Sequence, residues 1–273
     1  MFDMVRAALL GVIIGTLLGG CGLARVQQPS REEVLDRILP SAVQVVVEQQ
    51  EGRRTRAGSG VVLASRRTDG QTDCFILTSG HTVSDIVGRK GVFVVFGRDR
   101  GPVKKVAATV TAFRETADLD LALLQSKGSQ CLPVRAGRPP LLGEAVWVVG
   151  FPWGRHMTLA SGIVSQINLE DGADRETASR LMVDASVSYG SSGGGVYTAR
   201  DGGLIGIVEG YSTARVSAQG ANPPWYIEVP VPGQTYVTPL SDVRRFLTEI
   251  GYVHLLDGAT GRMPPASASV GER

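Results

Sequence analysis

The stretch Tyr189-Gly190-Ser191-Ser192-Gly193-Gly194-Gly195 decides how the rest of this sequence is interpreted. It places a serine in a run of glycines, directly after a strand-like apolar segment at 181–187. Glycines permit tight turns and let a ligand approach the main chain closely. A serine hydroxyl becomes a good nucleophile only with a base beside it and backbone N–H groups near its target. Because the stretch alone also fits an ordinary glycine-rich turn, partners of Ser192 must be sought elsewhere.

Two upstream segments offer such partners. His81 follows the apolar run 75–77, and Asp120 opens the apolar run 121–124. The order histidine, aspartate, serine is typical of chymotrypsin-type proteases, one of three unrelated orders that build the same catalytic geometry. Asp118 is a rival acid, because residues two apart share one face of a strand.

A second hydrolase class must be weighed, because Gly190–Gly194 also fits the G-x-S-x-G turn of α/β-hydrolases. That class needs an acid and then a histidine downstream of the serine, places that Asp242 and His254 could fill. It also needs a helix directly after the serine, within alternating strand–helix units. Three glycines at 193–195 begin a helix poorly, and the upstream sequence consists of short strands separated by turns. The pattern therefore predicts an all-β chain.

With these segments in order, the sequence resembles the protease domain of the HtrA/Deg family in the trypsin-like superfamily. The match runs from about residue 39 to about residue 247, and each motif is weak by itself. The motifs that carry it are Ser59–Leu63, Leu77–Val83, Asp120–Leu124, Gly150–Gly154, Ser161–Ser165, Asp184–Ser186, Gly190–Gly194 and Gly203–Ile207. The resemblance implies two packed six-stranded β-barrels with a C-terminal helix, and an active site in the cleft between the barrels.

The resemblance also implies a role for each site residue. Ser192 is expected to be the nucleophile, His81 its base, and Asp120 the acid that orients the imidazole. The backbone N–H groups of Gly190 and Ser192 are expected to form the oxyanion hole. Two positions depart from the family pattern, because Ser191 replaces the usual asparagine and Gly195 replaces alanine or proline.

The substrate pocket is expected to involve Ser186, Glu209, Gly210 and Tyr211. In trypsin the position of Ser186 carries an acid, which pairs with a lysine or arginine of the substrate. A buried cation needs a paired charge, so the serine argues against that preference. We therefore expect small or medium apolar residues before the scissile bond, as in the HtrA family.

The first residues read as an export signal. Arg6 precedes an apolar run at 7–18, which is too short to cross a bilayer comfortably. Leu18-Gly19-Gly20-Cys21 resembles a bacterial lipobox, which predicts removal of the signal peptide and lipid attachment at Cys21. A plain secretory signal and an uncleaved anchor remain alternatives. Gly22 lacks the aspartate that marks inner-membrane retention, which favours the outer membrane, facing the periplasm.

Composition narrows the remaining classes. The formal net charge is only +2 over 273 residues, and no basic run is interleaved with aromatic residues, so nucleic-acid binding is not expected. His81, His156 and His254 are scattered, so neither a metal nor another cofactor is expected. Cys74 and Cys131 fit either a disulfide or two separate buried thiols.

Local signals outline the domains. Residues 22–29 resemble a tether, and Ser30 with Glu33 forms a capping box that should start a helix through about Ile38. The protease domain is expected at 30–256, with barrels at about 41–132 and 143–240. A helix is expected at about 241–250 with Ser241 as its N-cap, followed by a disordered tail at 257–273.

The function expected from these observations is an exported serine endopeptidase that cleaves polypeptides in envelope quality control. The alternative is a catalytically latent, protease-like binding protein. No PDZ-like pattern follows the protease motifs in this sequence, so the peptide-sensing behaviour of the family is not expected here. The oligomeric state is left open, because no residue in the sequence indicates an oligomer.

Overall fold

The computed structural model describes residues 28–49, 52–68, 70–84, 90–97, 102–127, 131–168, 180–217 and 225–257. The predicted signal peptide, the lipobox with Cys21 and the predicted tail from 258 onward lie outside this part of the chain. Within it, no helix is both long and apolar enough to cross a membrane.

The first half of the chain forms a closed antiparallel barrel with strand order β1-β2-β3-β6-β5-β4. Its strands are β1 (Ala42–Gln49), β2 (Arg54–Thr68), β3 (Gln71–Thr78), β4 (Lys90–Phe96), β5 (Lys104–Glu115) and β6 (Asp120–Lys127). Val43, Val45 and Val47 of β1 pack into the barrel interior with Ile76 and Leu124. Alternate residues of a strand point to one face, so the valine spacing in β1 fills the interior of this barrel.

The second half forms another closed antiparallel barrel, with strand order β10-β11-β12-β9-β8-β7. Its strands are β7 (Ala145–Gly150), β8 (Thr158–Asn168), β9 (Arg180–Val183), β10 (Gly195–Thr198), β11 (Leu204–Ser217) and β12 (Tyr226–Pro239). The all-β prediction and the two six-stranded barrels implied by the resemblance are therefore confirmed.

One apolar core joins the barrels. It contains Leu77 of the first barrel, Val149 and Ile207 of the second, and Phe246 of the C-terminal helix, each fully buried. Because side chains from both barrels share this close-packed core, the two barrels are held in one relative arrangement.

The helices agree in part with those predicted from the sequence. Helix α1 (Arg31–Ile38) begins with the predicted capping box: the Ser30 N–H donates to Glu33 at 2.7 Å, and the Glu33 N–H donates to Ser30 Oγ at 3.2 Å. Helix α3 (Leu240–Glu249) begins earlier than predicted, and the assignment of Ser241 as its N-cap is wrong. Pro239 occupies the N-cap position, extended and without a side-chain hydrogen bond, so Ser241 already lies inside the first turn.

The end of the second barrel differs most from the sequence-based strand assignment. The sequence predicts strands at Leu204–Val208 and Tyr236–Pro239 in this part of the chain, but β11 continues to Ser217 and β12 begins at Tyr226. Thr213–Ser217 pairs with Tyr226–Pro230. In the described chain no third strand pairs with these two segments. The pairing of β10 with β11 ends at Ile207, and β9 pairs with β12 only at Thr235–Val237.

Cys74 and Cys131 form a disulfide. Cys74 is a fully buried residue of β3, and Cys131 packs beside it after the end of β6. The choice between a disulfide and two separate thiols, which the sequence left open, is thus settled in favour of the disulfide.

Candidate active site

The loop Tyr189–Gly194, called the nucleophile loop below, owes its path to glycines. Gly190 and Gly193 have φ values of 87° and 85°, a region that L-residues with side chains rarely adopt. A methyl group on Gly193 would overlap the Ser59 carbonyl oxygen, and one on Gly190 would lie 2.7 Å from the Phe151 carbonyl oxygen. Both glycines are therefore needed for the loop to pack between the barrels.

His81 lies in a one-turn helix, α2 (Gly80–Val83), directly after β3. Its Nδ1 lies 2.5 Å from Asp120 Oδ2, and its backbone N–H donates to Asp120 Oδ1 at 2.7 Å. Asp120 thus holds both the ring and the main chain of the histidine. Of the two candidate acids, Asp120 makes this contact, while Asp118 is solvent-exposed. Position 80 has no room for a side chain, since a methyl group on Gly80 would overlap the Arg114 carbonyl oxygen.

The nucleophile loop packs directly against the segment that leads into His81. The carbonyl oxygen of Val208 accepts the Gly193 N–H at 2.8 Å and the Ser79 hydroxyl at 3.1 Å. One acceptor on β11 therefore ties the residue after Ser192 to the residue two before His81. This shared bond brings the serine and the histidine to the same end of the cleft.

Gly58 of β2 lies at the point where the two segments meet. A methyl group there would lie 2.7 Å from Cγ2 of Thr82, the residue after His81, and 3.2 Å from the Ser192 carbonyl oxygen. The Ser192 hydroxyl makes no hydrogen bond to the His81 ring in the part of the chain that the structure describes. Catalytic hydrogen bonds are often long in the absence of substrate and tighten in the Michaelis complex.

The backbone amides of the nucleophile loop divide into two groups. The N–H groups of Ser191, Gly193 and Gly194 donate to backbone carbonyls at 2.8–2.9 Å. Those of Gly190 and Ser192 donate to no acceptor within the described residues. These are the two amides that the sequence predicts for the oxyanion hole. Both remain available to a ligand oxygen.

Ser59 of β2 is a supporting residue that sequence reasoning missed. Its hydroxyl, almost fully buried, donates to the Gly190 carbonyl oxygen at 2.7 Å and accepts the Phe151 N–H at 2.8 Å. One side chain of the first barrel thereby fixes the peptide that follows Gly190 in the second. Ser59 opens one of the motifs that carry the family resemblance, but a serine in a strand gives no sign of its partners.

An aromatic group that the sequence did not single out lies beside the nucleophile loop. Tyr189 packs between Trp153, at 5.3 Å between ring centroids, and Tyr211, at 5.8 Å and edge-on. Trp153 has φ of 56°, and its N–H donates to the Tyr189 carbonyl at 2.6 Å. Trp153 and Tyr189 are 63% and 59% exposed, so the group presents an apolar surface beside the nucleophile loop.

The predicted pocket residues are brought together only in part. Tyr211 contacts Tyr189, next to Gly190, whereas Glu209 and Gly210 precede it on β11 and are half-buried. Ser186 is exposed and has no hydrogen bond or ring contact to the other three in the described chain. The structure therefore places Tyr211 beside the nucleophile loop, and the roles of Ser186, Glu209, Gly210 and Tyr211 as pocket residues stay predictions.

The environment of His81 favours its protonated form. The hydrogen bond to Asp120 raises the pKa of His81 above its ordinary value, and the charges of Asp120 and Glu115 act in the same direction. Burial and the nearby Arg56 guanidinium oppose this rise. Arg56 also donates a hydrogen bond to the His81 carbonyl oxygen, so it is held close to the histidine.

The raised pKa of His81 predicts how activity falls on the acid side of the pH profile. A base must be deprotonated to act, so a raised pKa moves the acid limb of kcat/KM to a higher pH than the ordinary histidine pKa of 6.5. Asp120→Asn removes the main cause of the rise and should move the limb to lower pH while reducing kcat by about 10⁴-fold. Peptide hydrolysis between pH 4 and 9 measures both. Arg56→Gln is the matched control and should move the limb the opposite way; an unmoved limb in both variants would exclude His81 as the base.

Comparison with known proteins identifies the class of protein. The family described as trypsin-like peptidase domain matches residues 58–207. A serine protease HtrA-like from Staphylococcus haemolyticus is 32% identical over 164 residues, covering 55% of this chain and 24% of that protein. A serine protease HtrA-like from Staphylococcus aureus is 28% identical over 204 residues, covering 71% of this chain and 23% of that protein. The chain thus spans about a quarter of the length of these relatives.

A solved structure shares the architecture. The serine endoprotease from Yersinia pestis superposes with a TM-score of 0.57 at 21% identity, covering 84% of this chain and 68% of that one. The family match extends over more than half of the chain, from β2 to β11. The chain therefore belongs to the trypsin-like peptidase domain family, and its resemblance to HtrA-like serine proteases is confirmed.

Proposed function

We propose that this chain is a serine endopeptidase that hydrolyses peptide bonds through an acyl-enzyme. The observation that carries the proposal is the arrangement around His81: its Nδ1 lies 2.5 Å from Asp120, and the loop bearing Ser192 packs against its segment. The trypsin-like family and the HtrA-like relatives support the same reaction.

In this mechanism His81 takes the Ser192 hydroxyl proton as the oxygen attacks the substrate carbonyl carbon. Asp120 holds the ring so that Nε2 faces the serine, and its charge stabilises the imidazolium that forms. The carbonyl oxygen becomes an oxyanion and accepts hydrogen bonds from the backbone N–H groups of Gly190 and Ser192. The imidazolium then protonates the leaving amine, and water releases the acyl group by the same route.

The substrates proposed are polypeptides with a small or medium apolar residue before the scissile bond. Tyr211 and Tyr189 support an apolar preference, since both present ring surface beside the nucleophile loop. The chain is further proposed to be exported and attached to the membrane by lipid at Cys21, facing the periplasm, where it would act in protein quality control. The N-terminal sequence supports that location.

Labelling with a fluorophosphonate tests the proposal. This probe reacts with an activated serine, so the purified protein should label at Ser192 and cleave unfolded polypeptides. His81→Ala should abolish labelling although Ser192 is still present, because the base is lost. A folded wild-type protein that neither labels nor cleaves would overturn the proposal and favour a latent, protease-like binding protein.

A further inference from the structure

Three arginines lie at the start of β2, within the stretch 53–56. Arg56 donates a hydrogen bond to the His81 carbonyl oxygen, and Arg54 donates one to the Gly154 carbonyl oxygen at 2.9 Å. The start of β2 therefore contacts the one-turn helix α2 of the first barrel and a turn of the second barrel. It lies between two segments that build the candidate active site.

The turn that Arg54 contacts also holds the nucleophile loop. The Trp153 N–H donates to the Tyr189 carbonyl oxygen at 2.6 Å, and Tyr189 directly precedes Gly190 of the predicted oxyanion hole. A methyl group on Gly154 would lie only 3.1 Å from Arg54 Nη1, so the guanidinium packs closely on this turn. One side chain thus joins the start of β2 to the turn beside the loop that carries the reacting serine.

No carboxylate of the described chain pairs with Arg54. Its acceptor there is a neutral carbonyl oxygen, and the acceptor of Arg53 is the side-chain amide oxygen of Gln49 at 3.1 Å. Arginines elsewhere in the molecule do have carboxylate partners, as in the pairs Arg66–Asp73, Arg135–Asp201 and Arg138–Glu144. A guanidinium has five donors in a fixed fork, and Arg54 is exposed, so donors remain for a carboxylate from a ligand.

The charge near Arg54 is positive. Arg155 follows the same turn and is exposed, and the charge of Arg56 acts on His81, where it opposes the rise in the pKa of the imidazole. Asp120, the acid of the site, is already held by the ring and the main chain of His81. This side of the cleft therefore attracts negative charge and repels positive charge.

We propose that Arg54 selects polypeptides that carry an acidic side chain within the first three residues after the scissile bond. The inference rests on the proposed function and adds a second element of specificity to the apolar residue expected before that bond. In the proposed mechanism His81 protonates the leaving amine, so the departing segment passes the imidazole. The start of β2 is bonded to the main chain of His81, which puts Arg54 beside that segment.

The size of the preference follows from the exposure of Arg54. Water and salt screen a guanidinium–carboxylate pair at the surface, so its contribution is far smaller than that of a buried pair. The fork geometry of arginine adds directional hydrogen bonds that a lysine would not supply. We therefore expect a gain of about fivefold in kcat/KM for glutamate over glutamine, and a loss of similar size for lysine.

Internally quenched peptides provide the first test. They are identical except for a single Glu, Gln or Lys at the first, second or third position after the scissile bond. At one of these positions kcat/KM should fall in the order Glu, Gln, Lys, and about 0.5 M NaCl should reduce the gain of Glu to below about twofold. Glu placed before the scissile bond is the control and should give no gain. A gain wherever Glu stands would show general attraction of acidic peptides and would overturn the inference.

Charge reversal at position 54 tests the residue itself. Arg54→Gln should lower the ratio of kcat/KM for the Glu and Gln peptides from about five to about one, and Arg54→Glu should make the Lys peptide the better substrate. Both peptides are measured on the same variant, so a general loss of activity cancels in the ratio. Arg245→Gln is the matched control, because Arg245 pairs with Asp242 on α3 at 3.4 Å and its loss removes the same charge away from β2. A ratio that Arg54→Gln leaves unchanged would assign the preference to another residue.

Binding to Ser192→Ala separates this inference from the proposed function. Fluorescence anisotropy with the labelled Glu and Gln peptides should give dissociation constants that differ by about fivefold, without turnover. Equal dissociation constants and equal rates of cleavage would overturn the acidic preference and leave the proposed function intact. A preserved difference in binding, with no cleavage by the wild-type protein, would overturn the proposed function and retain the acidic preference as a property of binding.

Discussion

Ser192→Ala is expected to lower kcat for peptide hydrolysis by at least about 10⁵-fold, and His81→Ala by a similar factor. The serine supplies the attacking oxygen, and without the histidine its proton has no acceptor. Because the residues act as a unit, the double variant should be no slower than either single variant by more than about threefold. Steady-state kinetics with a fluorogenic peptide measure all three.

The neighbouring serine offers a matched control. Ser191 is nearly buried, and its hydroxyl accepts the Ser188 N–H at 3.3 Å, a long hydrogen bond. Ser191→Ala should therefore cost less than about tenfold in kcat, in keeping with the modest net value of one such bond. If Ser191→Ala abolished hydrolysis and Ser192→Ala did not, the assignment of the nucleophile would be wrong.

Loss of the disulfide is expected to lower the free energy of unfolding by about 4 kcal/mol. Cys74 and Cys131 are 57 residues apart, and a cross-link of that span removes much of the conformational freedom of the unfolded chain. Cys74→Ala/Cys131→Ala should shift the urea midpoint to lower concentration and raise the slope m, because the unfolded chain without the cross-link is less compact and exposes more surface. Equilibrium unfolding followed by tryptophan fluorescence measures both quantities.

The reductant supplies an internal control for that experiment. Dithiothreitol should destabilise the wild-type protein to nearly the level of the double variant, and it should leave the double variant unchanged. Equal midpoints of the wild-type protein with and without reductant would mean that the cross-link contributes nothing. A loss in the variant alone would then trace to the cavity left in the first barrel core, where Cys74 is fully buried.

Sequence patterns predict local structure well where a residue type occurs in few structural roles. The glycines around Ser192 indicated a tight loop, and the structure has Gly190 and Gly193 at positive φ. The capping box at Ser30 began its helix as predicted. His81 and Asp120 were paired across 39 positions of sequence, and their side chains meet at 2.5 Å.

Sequence patterns failed where tertiary context overrides local preference. Pro230, Pro232 and Gly233 argue against a strand, yet β12 runs through them because one edge of this segment has no partner strand within the described residues. Ser59 was missed because its role depends on Gly190 and Phe151, which are distant in the chain. The sequence likewise does not indicate Trp153 as a site residue. A tryptophan backbone in the left-handed region cannot be inferred from residue type.

The single apolar core beneath both barrels has a consequence for how activity can be controlled. Leu77, Val149 and Phe246 interlock there, and a close-packed interior does not deform gradually. A hinge motion that opens the halves like a clamshell would have to unpack that core, at a free-energy cost comparable with unfolding. If the proposed activity is regulated, the change is therefore expected in surface loops such as Tyr189–Gly194, while the barrels stay packed.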